Sequence, residues 1–219
     1  MAKDKLSLAA WIEESEKKGI SLRETLIANN AEAMGVEPQV LLDEMADMLK
    51  VMRASIDYGL TGVRSRSKLT GGSAKKLFEA KQSNNYANLL GSTVSDAVIF
   101  SLAVAEANAA MGRIVAAPTA GASGVLPGML FSLQKNYALS EKDLAAGLVV
   151  AGSIGLVIAN RSSLSGAMGG CQAETGSAAA MAAGAAVDML GGTPEQVGHA
   201  VAMTIKNMLG LVCDPVAGL

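Results

Sequence analysis

Apolar side chains recur at intervals of three and four residues along most of the chain, the pattern of helices with one buried face. Ser21 and Glu24 have the spacing of a capping box that begins a helix, and Gly35 suits its left-handed end. Pro38 fits the first turn of a second helix, since proline lacks the N–H group that this turn leaves unpaired. The apolar spacing carries this helix to Gly59, where we expect it to end.

The remaining helices follow from the same periodicity, and Thr193 and Gln196 supply a further capping box. Residues 61–72 have no periodicity and predict a basic loop. Within residues 176–186, alanines and glycines recur four residues apart, so this helix should pack closely against its neighbours. Further helices are predicted over residues 85–111, 126–137, 141–160, 172–190 and 194–209.

Composition favours an all-α fold. Half of the residues are hydrophobic but only 3% are aromatic, and alanine and methionine prefer helices to strands. A chain this apolar is not disordered. The net charge of −2 and the pI near 5.5 argue against nucleic-acid binding. We therefore predict a single helical catalytic domain over residues 1–219.

The charged side chains are concentrated towards the N-terminus, since 26 of the 38 lie in residues 1–100. We expect residues 1–60 to form charged surface helices and residues 61–219 to form a low-charge core that carries the loops of the site. The N-terminus lacks the apolar run of a signal peptide. Residues 144–160 are uncharged but fall short of a bilayer span and contain glycines, so they predict a buried helix in a cytoplasmic protein.

Three glycine-rich stretches of low charge interrupt the apolar half of the chain, at residues 113–128, 160–174 and 210–219. Glycine lets backbone N–H groups approach a ligand, and a following helix N-terminus adds partial positive charge. Such a pocket suits a small anion such as a carboxylate, although composition alone fits simple corners between helices better. The sequence contains no phosphate-binding loop, dinucleotide fingerprint or zinc-protease motif.

Both cysteines lie in these stretches. Cys171 precedes a helix whose dipole would lower the pKa of its thiol, whereas Cys213 follows a helix; each could also be a small buried hydrophobic residue. Two cysteines are too few for a disulfide framework or a complete metal site. We interpret His199, the only histidine, as a partly buried structural residue, with a role as general base as the alternative. Glu174 and Arg161 are lone charges in an apolar region, for which we expect structural ion pairs.

A family resemblance rests on the runs APTAGASGVLPG, SSLSGAMGGCQAETGSA and NMLGLVCDPVAGL, together with the LTGG loop. Over nearly its whole length the chain resembles the alpha chain of bacterial iron–sulfur-dependent L-serine dehydratase. The resemblance implies a helical catalytic chain with a [4Fe–4S] cluster, held by three cysteines and leaving one iron open to substrate. Cys171 and Cys213 correspond to two of these ligands, and the third lies past Leu219. We therefore expect an absent or incomplete cluster and no activity in this chain alone.

The resemblance further implies deamination of L-serine to pyruvate and ammonia, with the open iron acting as a Lewis acid on the hydroxyl group. A beta chain would join this chain in a larger oligomer and supply a histidine to the site, which leaves His199 structural. The residues that match the family's substrate loops are Thr119, Gly121, Ser162, Ser163 and Ser165, and weaker candidates for the same pocket are Lys206 and Asn207.

Three alternatives remain open. A cysteine desulfidase would use the same cluster and eliminate sulfide instead of water. A pyridoxal-phosphate dehydratase fits less well, because no lysine stands in a plausible Schiff-base motif. The chain could also be a non-catalytic helical scaffold or regulatory subunit whose cysteines are core residues. In that case, replacing Cys171 by serine would destabilise the fold instead of abolishing iron binding.

Overall fold

The computed structural model describes residues 6–83 and 89–211, where the chain is all-α, as predicted, with ten helices and no β-strand. Residues 61–72 form an irregular loop, also as expected, with one antiparallel bridge between Arg64 and Gly71. The helices in chain order are α1 (Leu8–Lys18), α2 (Leu22–Met34), α3 (Pro38–Leu60), α4 (Ser73–Gln82), α5 (Gly91–Ala109), α6 (Val125–Tyr137), α7 (Glu141–Arg161), α8 (Gly166–Gly169), α9 (Cys171–Met189) and α10 (Pro194–Met208).

The helix ends that short-range signals predict are confirmed. The Ser21 side chain accepts a hydrogen bond from the backbone N–H of Glu24, and the Glu24 carboxylate accepts one from the Ser21 backbone. Gly35 ends α2 with a left-handed φ of 68°, and the capping box that begins α10 is formed as well. The predicted helix start near Asn85 falls in residues 84–88, outside the described part of the chain.

Helix α4 has no counterpart in the sequence prediction. Ala74 is its one buried residue, and Leu77 and Phe78 on the same face are partly buried against the core. Its N-terminus is held from a distance: the buried carboxylate of Glu106 on α5 accepts hydrogen bonds from the backbone N–H groups of Gly72 (2.9 Å) and Ser73 (2.8 Å). A helix start that depends on a residue 34 positions away leaves no signal in its own sequence.

Helix α3 ends at Leu60, one residue beyond the end predicted at Gly59, and Gly59 itself is buried in its last turn. A Cβ atom added there would stand 2.0 Å from the backbone oxygen of Ala103 on α5, so the two helices touch backbone to backbone. On another side of α5, a Cβ atom on Gly128 of α6 would stand 1.9 Å from the hydroxyl oxygen of Ser101. Helix α5 is therefore held between α3 and α6 at distances that only glycine permits.

Helices α7 and α9 interlock by placing a glycine of one opposite a large side chain of the other. A Cβ atom on Gly184 would come within 2.3 Å of the Ile154 side chain, and the corresponding distances for the other two glycines are 2.6 and 2.9 Å. The predicted close packing of the helix that contains residues 176–186 is thereby confirmed. The three interlocking pairs are Gly147 with Met189, Gly155 with Met181, and Ile154 with Gly184.

The two interlocked helices also form the centre of the hydrophobic cluster, which extends from Trp11 to Val201. Helix α7 packs against α2, α3 and α9, and α9 packs against α6, α7 and α10. The helices of residues 1–60 expose most of their charges but contribute Leu22 and Leu49 to the same cluster. Helix α9 is therefore supported from several sides.

Helix α7 is long and apolar enough to cross a membrane by length and composition alone, the one such helix in the described part of the chain. Its apolar window is 61% buried inside the protein, and burial is continuous from Leu144 to Ala151. A helix covered by protein on this scale belongs to the core, as predicted for residues 144–160.

Buried carboxylates in the core are matched by cationic or N–H donors. Asp188 at the end of α9 accepts a hydrogen bond from Nε of Arg23 at 2.8 Å, and the same guanidinium reaches the backbone oxygen of Asp188 at 2.7 Å. Asp96 on α5 pairs with Lys81 at 2.6 Å and with Lys135 at 3.1 Å. Because an unpaired buried charge is costly, these contacts connect helices that are distant in sequence.

Replacing Gly59 by alanine is expected to lower the free energy of unfolding by about 1–3 kcal/mol or more, because the added methyl group must separate α3 from α5. The control is Gly152→Ala on exposed α7 surface, where an added Cβ meets nothing within 4 Å. This control should raise stability by about 0.5–1 kcal/mol, since alanine favours a helix over glycine. Urea unfolding measures both, and equal effects would contradict the close α3–α5 contact.

Replacing Asp96 by asparagine should weaken the dependence of stability on acid pH. Burial acts to raise the pKa of Asp96, but the hydrogen bonds from Lys81, Lys135 and Asn136 outweigh it, so its pKa lies below the ordinary 3.8. The charged form therefore stabilises the fold above pH 3.8, and this contribution is lost as the pH falls through and below that value.

Unfolding free energies measured between pH 3 and pH 7 test this prediction. Asp96→Asn should cost about 1.5–3 kcal/mol at pH 7 and show a smaller loss on acidification than the unaltered chain. The control is Asp47→Asn, which removes an exposed ion pair with Lys50 and should change little. An unchanged acid slope in Asp96→Asn would contradict the assignment.

Candidate functional site

The candidate site lies where α7 ends and α9 begins. After Arg161 the chain passes through the serine-rich loop at residues 162–165 and the short helix α8, then turns into α9 at Cys171. The turn is made at Gly170, whose φ of 76° is a conformation that glycine adopts without strain. Ser163 stabilises the loop, because its hydroxyl oxygen accepts a hydrogen bond from the backbone N–H of Ser165 at 3.1 Å.

A cavity of about 630 Å³ opens beside this turn, between the end of α7, the start of α9 and one face of α10. Its walls are mainly apolar, and Val157, Ile158 and Ile205 are among them. Ser162 and Ser163, both predicted to line the substrate pocket, are polar members of the wall. The structure thus places two of the predicted side chains at one cavity.

A second group of residues meets around the carboxylate of Glu174, one turn into α9. A Cβ atom on Gly121, in the loop before α6, would lie 2.9 Å from Oε2 of Glu174. A Cβ atom on Gly166, at the start of α8, would lie 2.8 Å from the same oxygen. One carboxylate therefore lies between two glycine-containing loops that are far apart in sequence, and one of them contains the predicted residue Gly121.

The expectation of structural ion pairs for Glu174 and Arg161 is wrong for the described residues, where neither side chain forms one. Arg161 is exposed and lines the cavity. The carboxylate of Glu174 is half-buried, with a hydrogen-bonding partner for neither oxygen in residues 6–83 and 89–211. The sequence contains a signal for this, since no basic residue stands three or four positions from Glu174 on α9.

The loop before α6 contains two buried hydroxyl groups without a hydrogen-bond partner in the described structure, those of Thr119 and Ser123. Asn108 fixes the loop between them by donating a hydrogen bond to the backbone oxygen of Ala120 at 3.1 Å. Unpartnered buried hydroxyl groups are uncommon and destabilising. They flank Gly121 in sequence, so this loop combines donor groups with the glycine that borders Glu174. Thr119 was predicted from sequence, and Ser123 was missed although it belongs to the same motif.

Lys206 and Asn207 are exposed on α10, and the neighbouring residues Ile205 and Met208 line the cavity in their place. A contact of Lys206 or Asn207 with substrate stays a prediction. Helix α10 turns its buried face, marked by Val197, towards the core.

The prediction that His199 is partly buried is wrong, because its side chain is 68% exposed. It lies two residues beyond buried Val197, which is about 200° around the helix and therefore on the outer face. Its Nε2 atom is 3.5 Å from a carboxylate oxygen of Glu195, one turn earlier. Its surroundings in the described structure are those of a surface residue.

Cys171 is the predicted metal ligand that the structure describes; Cys213 lies in residues 212–219, outside the described part. Cys171 is exposed at the first residue of α9, directly after Gly169 and Gly170. Its accessible sulfur fits an iron–sulfur ligand, since such clusters bind cysteine thiolates. Among the described residues, no three His, Cys, Asp or Glu side chains form a group that could hold a metal ion. The described chain therefore supplies one donor.

Comparisons with known proteins match almost the whole chain. The family model described as serine dehydratase alpha chain matches residues 17–219. The probable L-serine dehydratase alpha chain of Bacillus subtilis is 47% identical over 208 residues, covering 95% of this chain and 69% of that protein. The L-serine dehydratase alpha chain of Peptoniphilus asaccharolyticus is 38% identical over 209 residues, covering 95% of this chain and 71% of that protein. The L-serine dehydratase of Streptomyces coelicolor is 36% identical over 210 residues, covering 94% of this chain and 45% of that protein.

Replacing Ser123 by alanine should raise the free energy of unfolding by about 1 kcal/mol, because a buried hydroxyl group without a partner is removed. The matched control is Ser132→Ala. Both serines are 1% exposed, but the Ser132 hydroxyl donates a hydrogen bond to the backbone oxygen of Met129 at 2.9 Å. The free energy of unfolding of the control variant should fall by about 1 kcal/mol, because a buried hydrogen bond is lost. Thermal or urea unfolding measures both, and equal losses would contradict an unpartnered Ser123.

Proposed function

Because the chain belongs to the serine dehydratase alpha-chain family, we propose that it is the catalytic alpha chain of an L-serine dehydratase, a lyase that converts L-serine to pyruvate and ammonia. The observation that carries the proposal is the family match over residues 17–219. The arrangement of the site supports it, since two loops with the family's motifs meet at the first turns of α9.

The proposed reaction is an elimination followed by hydrolysis. A base removes the α-proton of L-serine and the β-hydroxyl group leaves as water, which gives 2-aminoacrylate. This product tautomerises to an imine, and water then hydrolyses the imine to pyruvate and ammonia. The difficult step is the elimination, because hydroxide is a poor leaving group and the α-proton is weakly acidic. The enzyme must therefore activate the hydroxyl group and hold the substrate in one orientation.

We further propose that the enzyme carries a [4Fe–4S] cluster, with Cys171 and Cys213 among its ligands. When bound, the cluster supplies a Lewis-acidic iron for the hydroxyl group of serine. The position of Cys171 supports this proposal, since the residue is exposed at the start of α9 and a Cβ atom added to the preceding Gly170 would meet nothing within 4 Å. The second ligand, Cys213, follows in the CDPVAG motif.

The chain's own loops would bind and orient the substrate. Thr119 has a buried hydroxyl group without a partner in the described structure, and it can donate a hydrogen bond to the substrate carboxylate. Gly121, two residues further on, borders the Glu174 carboxylate closely, since a Cβ atom there would lie 2.9 Å from Oε2. Ser162 and Ser163 line the adjoining cavity, and Ser165 follows in the same loop. The walls of this cavity are mainly apolar, which lowers the polarity around Ser162 and Ser163.

The general base is proposed to come from a partner, the beta chain of the dehydratase. The exposed position of His199 on the outer face of α10 is consistent with a base that lies elsewhere. A cytoplasmic location is proposed as well, because an iron atom open to substrate is also open to oxygen. The name alpha chain borne by relatives in Bacillus subtilis and Peptoniphilus asaccharolyticus fits an enzyme of more than one chain.

Replacing Cys171 by serine should abolish iron binding and lower serine turnover by at least about 100-fold, since even outer-shell changes at metal sites cost 10–100-fold. The chain, both with its 219 residues and continued by an added C-terminal segment that carries a third cysteine, is reconstituted anaerobically with iron and sulfide. Iron, acid-labile sulfide and pyruvate formed with the beta chain are then measured. The melting temperature should change little, because Cys171 is exposed.

The control is Thr175→Ser, an exposed position on the same helix, which should retain iron and turnover. Unchanged iron content in Cys171→Ser would contradict the proposed ligand. A collapse of the fold in that variant would favour the scaffold function instead. Absence of pyruvate from the continued chain with its partner would contradict the dehydratase function itself, and sulfide release from L-cysteine in its place would indicate a desulfidase.

A further inference from the structure

Glu174 differs from the buried carboxylates of the core. Asp96, Glu106 and Asp188 each accept hydrogen bonds from a cationic side chain or from backbone N–H groups. The half-buried carboxylate of Glu174 has no such partner in the described residues, and its Oε2 atom borders Gly121 and Gly166. A carboxylate placed this way is suited to a cation that arrives with a ligand, because removing it from water without compensation is costly.

The substrate of the proposed reaction brings such a cation. L-Serine at neutral pH is a zwitterion, whose carboxylate requires hydrogen-bond donors and whose ammonium group requires an acceptor. The loop before α6 provides donors through the hydroxyl groups of Thr119 and Ser123. Glu174, which borders the same loop at Gly121, provides the acceptor. One loop and one side chain thus match both charges of an amino acid.

Other acidic residues after Arg161 in the described structure do not offer this acceptor. Asp188 is buried and already paired with Arg23. Glu195 is exposed on α10 beside His199. Glu174 is the carboxylate that lies next to the loops of the site.

We infer that Glu174 binds the α-ammonium group of the substrate and so makes the site specific for amino acids over hydroxy acids without an amino group. This assignment rests on the proposed function. Glu174 acts as a binding residue: its ion pair with the ammonium group contributes affinity for the substrate equally in the ground state and the transition state. The proton transfer itself belongs to another group.

The test compares Glu174→Gln with the unaltered iron-reconstituted enzyme and its beta chain. The change keeps the shape of the side chain and removes its charge. We expect KM for L-serine to rise by about 10- to 100-fold, the range for a lost hydrogen bond to a charged group, and kcat to change by less than about 3-fold. Inhibition by 3-hydroxypropionate, which is serine without its amino group, should keep its Ki or become tighter.

Two control variants accompany the measurement. Glu174→Asp keeps the charge and should recover part of the affinity for serine. Glu195→Gln removes an exposed carboxylate on α10 and should leave KM and kcat for serine unchanged. If Glu174→Gln fails to fold or to bind iron, Gly121→Ala replaces it. The added methyl group there crowds the Glu174 carboxylate and should raise KM for serine more than Ki for 3-hydroxypropionate.

Several results would overturn the assignment. A large fall in kcat with unchanged KM would make Glu174 a proton-transfer group. Equal losses for serine and 3-hydroxypropionate would make it a structural residue of the loops. Either result leaves the dehydratase function intact, because the unaltered enzyme still forms pyruvate. Absence of serine turnover in the unaltered enzyme would instead overturn the proposed function and this assignment with it.

Discussion

The close approach of α7 and α9 is the constraint on which the rest of the structure depends. Gly147 and Gly155 on α7 receive methionine side chains from α9, and Gly184 on α9 receives Ile154 in return. These reciprocal contacts fix the two helices against sliding and rotation, since any shift brings a side chain against backbone. The segment that joins them, residues 162–170, carries the serine-rich loop and leads into Cys171, so its two ends are fixed by the same contacts.

The buried carboxylates that stabilise this fold can be distinguished from the carboxylate of Glu174 by their partners. Three buried carboxylates connect helices: Glu106 holds the start of α4, Asp96 joins α5 to Lys81 and Lys135, and Asp188 receives Arg23. Each is compensated inside the chain. Glu174 is not compensated in the described part, and it lies between loops that carry family motifs. Uncompensated charge therefore coincides with the place where ligand chemistry is proposed.

Sequence reasoning succeeded where structure is determined locally. Capping pairs and apolar spacing predicted most helices, because both signals act within one or two turns. It failed where distant residues decide: Glu106 holds the start of α4 from 34 positions away, and the backbone of α5 is what requires a glycine at position 59. Family motifs predicted the loops of the candidate site, but the neighbours of Glu174 depend on how α9 is rotated by its packing, which no local pattern records.

The methionine contacts between α7 and α9 have a chemical consequence. The sulfur atoms of Met181 and Met189 fit into notches where even a methyl group on the opposite glycine would come within 3 Å. Both methionine side chains are 5% exposed, so the closed helix pair shields their thioethers from peroxide. Once the helices separate, oxidation of either sulfur would prevent them from closing again. Oxidation of either methionine would then make unfolding irreversible. Refolding would require an enzyme that reduces the methionine sulfoxide.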